Sequence, residues 1–213
     1  MKINWYPGHM KKSLEALENQ IKQVDAIIYV LDARCPKACI NPSFAAIANR
    51  KKVVYYYSKR DLAPDGIVPN VNVVCELEKM FKNKIGFVKA MVIGVPNVGK
   101  STLINKLSRR KKTVTGNKPG VTKTTQWVNA GDRLWLMDTP GVLMPNMEDQ
   151  RAAKNLAYIG TIKDEVFDIV ELAGELVREL DLKREVTDER TAKAVLVDFR
   201  AGKLGKFNLD NLL

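Results

Sequence analysis

Apolar residues first recur along the chain at Leu14, Leu17, Ile21 and Val24, the spacing of a helix that buries one stripe. The pattern then shortens to apolar runs at residues 53–57, 87–93, where only Lys89 interrupts, and 134–137, each closed by a polar or glycine-bearing loop. Runs of that length between turn residues read as strands, the 87–93 run as a buried one, and their alternation with helical stretches predicts a doubly wound α/β sheet. From about Leu143 the pattern becomes helical. Val166, Ile169, Val170, Ala173, Leu176, Val177 and Leu180 line one face, while Asp164, Asp168, Glu171, Glu175 and Glu179 form an acidic stripe expected to face water. A second tail helix is expected from Thr187 as N-cap to about Phe199, broken by Gly202 and Gly205. The expected division is an α/β domain with its N-terminal helix over residues 1–143 and a small all-helical domain over 144–213.

Chemistry enters at the loop after the 87–93 run. Gly94-Val95-Pro96-Asn97-Val98-Gly99-Lys100-Ser101 carries two glycines five apart, then lysine and serine, and Thr102 opens the helix that follows. Such a loop aims successive backbone N–H groups at a phosphate chain, with Lys100 reaching the β/γ-phosphates and Ser101 holding Mg²⁺. The strand before it and the helix after it supply the context of a P-loop NTPase. Downstream, Asp138-Thr139-Pro140-Gly141 ends a strand, so Asp138 is expected to hold Mg²⁺ through water. Gly141, lacking a side chain, can approach and sense a γ-phosphate. Between the two, Thr122 in a polar segment is expected to close over the metal.

The base is chosen upstream. Ser58-Lys59-Arg60-Asp61 ends the 53–57 strand, and an Asp61 carboxylate can accept from guanine N1–H and its 2-amino group, whereas adenine has no donor at N1. One such mismatch is worth about 1–3 kcal/mol, enough for roughly ten- to hundredfold selectivity. Lys59 is expected to lay its stem along the base plane. A base-recognition motif ahead of the phosphate loop reverses the usual chain order of a GTPase, which points to a rearranged nucleotide switch.

These motifs, with Tyr6-Pro7-Gly8-His9-Met10, the segment 25–34 and the terminal segment 199–205, resemble the circularly permuted GTPases of the YlqF/RbgA group, ribosome-assembly factors, over nearly the whole chain. The resemblance implies binding of GTP and GDP with Mg²⁺, hydrolysis that is slow alone and stimulated by the ribosomal particle, and contact with rRNA on a precursor of the large subunit. Val142 stands where Ras-like switches carry a water-orienting glutamine. In the resembled family the PGHM histidine is a proposed substitute, so His9, the only histidine here, becomes a catalytic candidate beside Thr122 and Gly141; a helix-capping role for it stays open. Asn97 stands where potassium-dependent relatives carry asparagine and is a candidate K⁺ ligand or a simple loop residue. Two departures stand out. Ser58 replaces the usual Asn or Thr, which would weaken the bracing of the base pocket against the phosphate loop. The stretch between Asp61 and Val92 is short, and residues 71–75 are the available run for the strand before the guanine O6-contacting loop.

The 213-residue chain is 46% hydrophobic with a net charge of +11, enough for one good-sized core and an appendage, and suited to a polyanionic partner. The charge is uneven. Residues 1–143 carry 24 Lys+Arg against 10 Asp+Glu, and 144–213 carry 11 against 14. Lys11, Lys12, Lys51, Lys52, Lys106 and residues 109–112 are candidates for rRNA phosphates, whereas in the tail only Arg200, Lys203 and Lys206 suit that role. No apolar stretch approaches a bilayer span and the N-terminal residues lack a secretory signal, so no membrane partner, a cytoplasmic location and a monomer are expected. Cys35, Cys39 and Cys75 lack a zinc-ligand pattern. Alternatives are a permuted GTPase acting on another ribonucleoprotein, an ATP-dependent phosphotransferase, and an RNA-binding module with a vestigial nucleotide site.

Overall fold

The structure, a computed structural model, describes residues 3, 17–42, 48, 50–108, 126–139 and 149–211, with the side chain of Gln126 excepted. Five strands form one sheet: β1 (Ala26–Asp32), β2 (Lys52–Ser58), β3 (Val88–Ile93), β4 (Gln126–Asn129) and β5 (Leu134–Asp138), in the spatial order β2-β1-β3-β5-β4. All neighbours run parallel except the β4–β5 pair. β1 is buried at every position and β3 at all but Lys89, as strands covered on both faces must be. The parallel register aligns Asp32 with Ser58 and Val92 with Asp138. The loops after β1, β2, β3 and β5 therefore leave the sheet on one edge, where open α/β sheets bind ligands. Three-dimensional pairing makes their reversed chain order immaterial.

Two helices begin where sequence reading places them only roughly, and a third stands where it places a strand. The run at residues 71–75 is not a strand. Asn72 accepts a hydrogen bond from the Cys75 N–H at 3.2 Å and caps α1 (Val73–Met80), which buries Val73 and Leu77. The cap and the four-residue apolar repeat outweigh the strand preference of the paired valines. Among the described residues the sheet thus ends at β2, with α1 packed on it. α2 (Lys100–Leu107) follows the phosphate loop. In the tail, α3 (Gln150–Tyr158) is capped by Asp149, and α4 (Ile169–Glu179) by Asp168, whose carboxylate accepts from the Val170 and Glu171 N–H groups at 2.9 Å. Asp168 is thus a cap as well as, like Glu171, an exposed member of the acidic stripe. Glu175 and Glu179 turn inward instead, to Lys154 and Arg151. α5 (Glu189–Arg200) starts from Asp188, one residue after Thr187, because Asp188 and Thr191 satisfy each other's backbone in a capping box.

Residues of α3, α4 and α5, among them Tyr158, Leu172 and Leu196, belong to the same buried cluster as the strands. The tail helices share the sheet's core. Ile3 is fully buried, and its backbone exchanges two hydrogen bonds with the Gln150 side chain at 2.7 and 3.2 Å. The three tail cations are engaged within the chain: Arg200 with Asp164, Lys203 with Asp198 and Lys206 with Asp65.

Candidate functional site

The loop from β3 to α2 is shaped by Gly94. A Cβ there would lie 2.5 Å from the Val30 carbonyl oxygen of β1, and its φ of 152° suits glycine. Gly99, with φ 103°, begins α2. Val98 is buried, Ser101 half-buried and Thr102 exposed beside the cleft described below. The Lys100 ammonium donates to the carbonyl oxygens of Gly94 at 3.1 Å and Val95 at 3.0 Å, curling the loop around itself. Burial pushes Lys100 down to about 8, partly countered by Asp138.

Asp138, at the end of β5, is fully buried. Its desolvation pushes the carboxyl up to about 6, against the pull of Lys100, the Ser101 hydroxyl and the Thr139 N–H. Those two donors lie near enough to draw its pKa down. No hydrogen bond of ordinary geometry reaches either oxygen among the described residues. A fully buried carboxylate with both oxygens orphaned, next to Ser101, fits a hydrated divalent cation, which would supply the missing charge and donors. The Thr139 hydroxyl donates to the Val92 carbonyl at 2.7 Å and holds the two strand ends together.

On the base side, the Ser58 hydroxyl lies 2.5 Å from the Val98 carbonyl oxygen and 3.0 Å from that of Leu31. Its single proton serves one of them at a time, with Val98 the nearer. Serine therefore braces the base loop on the phosphate loop directly, despite its short side chain. Lys59 follows in a left-handed conformation with φ 51°, and Asp61 sits exposed in a 3-10 turn. A cleft of about 140 Å³ opens between these elements, lined by Tyr56, Ser58, Lys59, Gly99, Thr102, Leu103 and Lys106. Asp61 is not among the residues that line it.

Sequence reading missed Asp32 and Arg34. Asp32, fully buried at the end of β1, accepts from Arg34 Nε at 2.9 Å and Nη2 at 2.8 Å, and pairs with Lys59 Nζ at 3.1 Å. Burial alone would raise its carboxyl, but Lys59 and Arg34 hold it down to about 2. Arg34 lies over the Phe199 ring, 5.5 Å from its centroid, and its carbonyl accepts from the Leu209 N–H at 2.7 Å. The available signal was an aspartate and an arginine closing an otherwise apolar run.

Asn97 also has a structural engagement. In a left-handed conformation with φ 57°, it donates through its side-chain amide to the Gly160 carbonyl at 2.8 Å, and the Thr161 hydroxyl donates to the Pro96 carbonyl at 3.2 Å. The phosphate loop is thus fastened to the turn after α3. His9, Thr122, Gly141 and Val142, with Lys11, Lys12 and the basic residues 109–112, lie outside the described residues. Among the described residues, no helix is long and apolar enough to cross a membrane.

A model of the family described as 50S ribosome-binding GTPase matches residues 89–200. Over 278 aligned residues the chain is 29% identical to a Bacillus cereus protein named Ribosome biogenesis GTPase A, covering 99% of this chain and 94% of that one. It is 34% identical over 206 residues to a protein of the same name from Bacillus licheniformis, covering 81% and 73%. The GNP-bound structure of YlqF from T. maritima superposes with a TM-score of 0.68 at 22% identity, covering 95% of this chain and all of that one. That likeness carries the fold.

Proposed function

The chain belongs to the family of 50S ribosome-binding GTPases, and on that premise we propose that it is a permuted GTP switch in the assembly of the large ribosomal subunit. It binds guanine nucleotide and hydrolyses GTP. The assembly role extends to this chain from relatives named Ribosome biogenesis GTPase A. The observation that carries the reading is the contact of Ser58 with Val98: the motif that reads the base and the loop that holds the phosphates touch across the sheet edge, although the former precedes the latter in sequence. An ATP-dependent phosphotransferase would have no use for Asp61, because adenine offers no N1–H to its carboxylate.

In this reading, Gly99 and Lys100 hold the phosphates, with Asn97, Val98, Ser101 and Thr102 completing the loop's contacts. Nucleotide would draw the Lys100 ammonium from the Gly94 and Val95 carbonyls to its own oxygens. Ser101 and Asp138, with Thr122 over them, would hold Mg²⁺, which would supply positive charge to the phosphates. Asp61 selects guanine, Lys59 lies along the base, and Ser58 keeps the two loops in register. His9 orients the attacking water, and Gly141 reports the γ-phosphate through its N–H. Potassium beside Asn97 is a further element of the proposal, as are a monomeric state, a cytoplasmic location and a boundary near residue 143 between the switch domain and its helical partner.

Pelleting the protein with large subunits in a GTP analogue and in GDP, with and without K⁺, tests the proposal. Retention with the analogue and release with GDP are expected; equal pelleting in both states sinks it. In the same tubes, His9→Ala should lower particle-stimulated turnover at unchanged nucleotide affinity, and unchanged turnover would reduce His9 to a helix cap.

A further inference from the structure

We propose that one end of the sheet is a platform that stacks unpaired RNA bases, with Trp127 and Phe87 as the rings and Lys89 and Arg133 as the cations for the adjoining phosphates. The inference rests on the ribonucleoprotein reading above and identifies a surface it would use. Residues two apart on a strand share a face of the sheet. The register pairs Lys89 with Trp135, Asn129 with Trp135, and Trp127 with Met137, so Lys89, Trp135 and Trp127 project from the same face. Farther along that face Met91 and Met137 are covered by the rest of the fold. At this end the cover stops: Trp127 is 38% and Phe87 51% exposed, and Lys89 is exposed.

The exposed groups are held in place. Phe87 stands edge-on to Trp135 with centroids 6.3 Å apart and planes at 85°, and the Lys89 ammonium lies 5.7 Å from the Trp127 centroid. The Arg133 guanidinium is fastened to the carbonyls of Gly86 and Lys84, beside Phe87. Among the described residues neither Lys89 nor Arg133 has a carboxylate within ion-pair distance, whereas neighbouring Lys84 is paired with Asp25. Asp132, next to Arg133, offsets part of this charge.

Ordered rings bordered by cations that pair with no carboxylate among the described residues match the chemistry of unpaired nucleotides, whose bases offer π-faces and whose phosphates offer charge. A net charge of +11 favours the same partner. An apolar protein helix would call for a continuous groove without a cation beside each ring, and an acidic protein surface would leave the rings unused.

The test uses the full chain with GDP bound, titrated at fixed salt with a short labelled single-stranded RNA and with a duplex of equal length. The single strand should bind more tightly. Trp127→Ala and Phe87→Ala should each weaken it roughly tenfold or more, Trp127→Phe should keep most of the affinity, and Lys89→Gln should lower the salt dependence by about one counterion. GDP affinity should not change in any of them, which reports folding. Native-like RNA binding by the alanine variants, or equal binding of duplex and single strand, overturns the proposal. If those variants keep the oligonucleotide but lose large-subunit pelleting, a ribosomal protein meets this face and the RNA assignment falls. If the native chain ignores subunits in every nucleotide state yet binds the oligonucleotide through Trp127, the ribosomal reading fails and the platform stands.

Discussion

Lys100 and Asp138 are buried opposite charges that each lack a full set of partners in the nucleotide-free fold, and their titration should report what fills the site. With Lys100 pushed down to about 8, the free protein loses this proton as pH rises through that value, while bound phosphate would retain it. GDP affinity should therefore be constant below about pH 8 and fall above it by up to about tenfold per unit, with net proton uptake seen by calorimetry in two buffers. Asp138 has the opposite sign. Its pKa is raised to about 6 from 3.8, so the empty fold takes up a proton between those values and gains stability as pH falls through 6. Mg²⁺ needs the ionised carboxylate. The extra melting-temperature rise from adding Mg²⁺ to the GDP complex should shrink as pH is lowered through about 6. Gly94 is a steric counterpart to these charges: Gly94→Ala sets a Cβ 2.5 Å from the Val30 carbonyl oxygen. It should cost about 1–3 kcal/mol in urea unfolding and weaken GDP at least roughly tenfold, because the loop must move off its strand.

Among the elements, the helices follow their caps more closely than their propensities. Residues 71–75 have the composition of a strand, yet Asn72 turns the chain into α1, and Asp168 starts α4 within a run whose apolar stripe already begins at Val166. An acidic residue at the head of a helix reads in sequence as part of a solvated stripe, and only the backbone geometry shows that it is a cap as well. Asp168→Ala should destabilise the fold by about 1 kcal/mol, seen as a lower urea midpoint at unchanged GDP affinity. A loss of nucleotide binding in that variant would mean that α4 does more than pack.

At the scale of the molecule, the tail helices are built into the nucleotide site's support. Arg200 of α5 donates to the Tyr158 and Ala157 carbonyls, pairs with Asp164 and packs against Gly160, whose carbonyl receives Asn97 of the phosphate loop. On the base side, Phe199 and Leu209 hold Arg34, which holds Asp32, which holds Lys59. Arg200→Ala should therefore lower stability by about 1–3 kcal/mol and also weaken GDP several-fold, as followed by melting and titration. A change in stability alone would show that the turn at Gly160 supports the loop passively.

The sequence by itself determined the parts whose physics is local. A phosphate loop is a matter of glycine spacing between a strand and a helix, so residues 94–101 could be read directly, and the runs that form β2, β3 and β5 follow from their composition. The tertiary structure alone decided which distant groups meet: that β1 lies between β2 and β3, that Ser58 reaches Val98, and that Asp32 serves both Arg34 and Lys59. It also decided that Arg200, Lys203 and Lys206 are spent on carboxylates within the chain, Lys206 on Asp65 outside the tail, which a count of charges along the chain could not register. The physical reason is that strand order and register are set by burial summed over the whole sheet, whereas a motif is set by a few neighbouring dihedral angles.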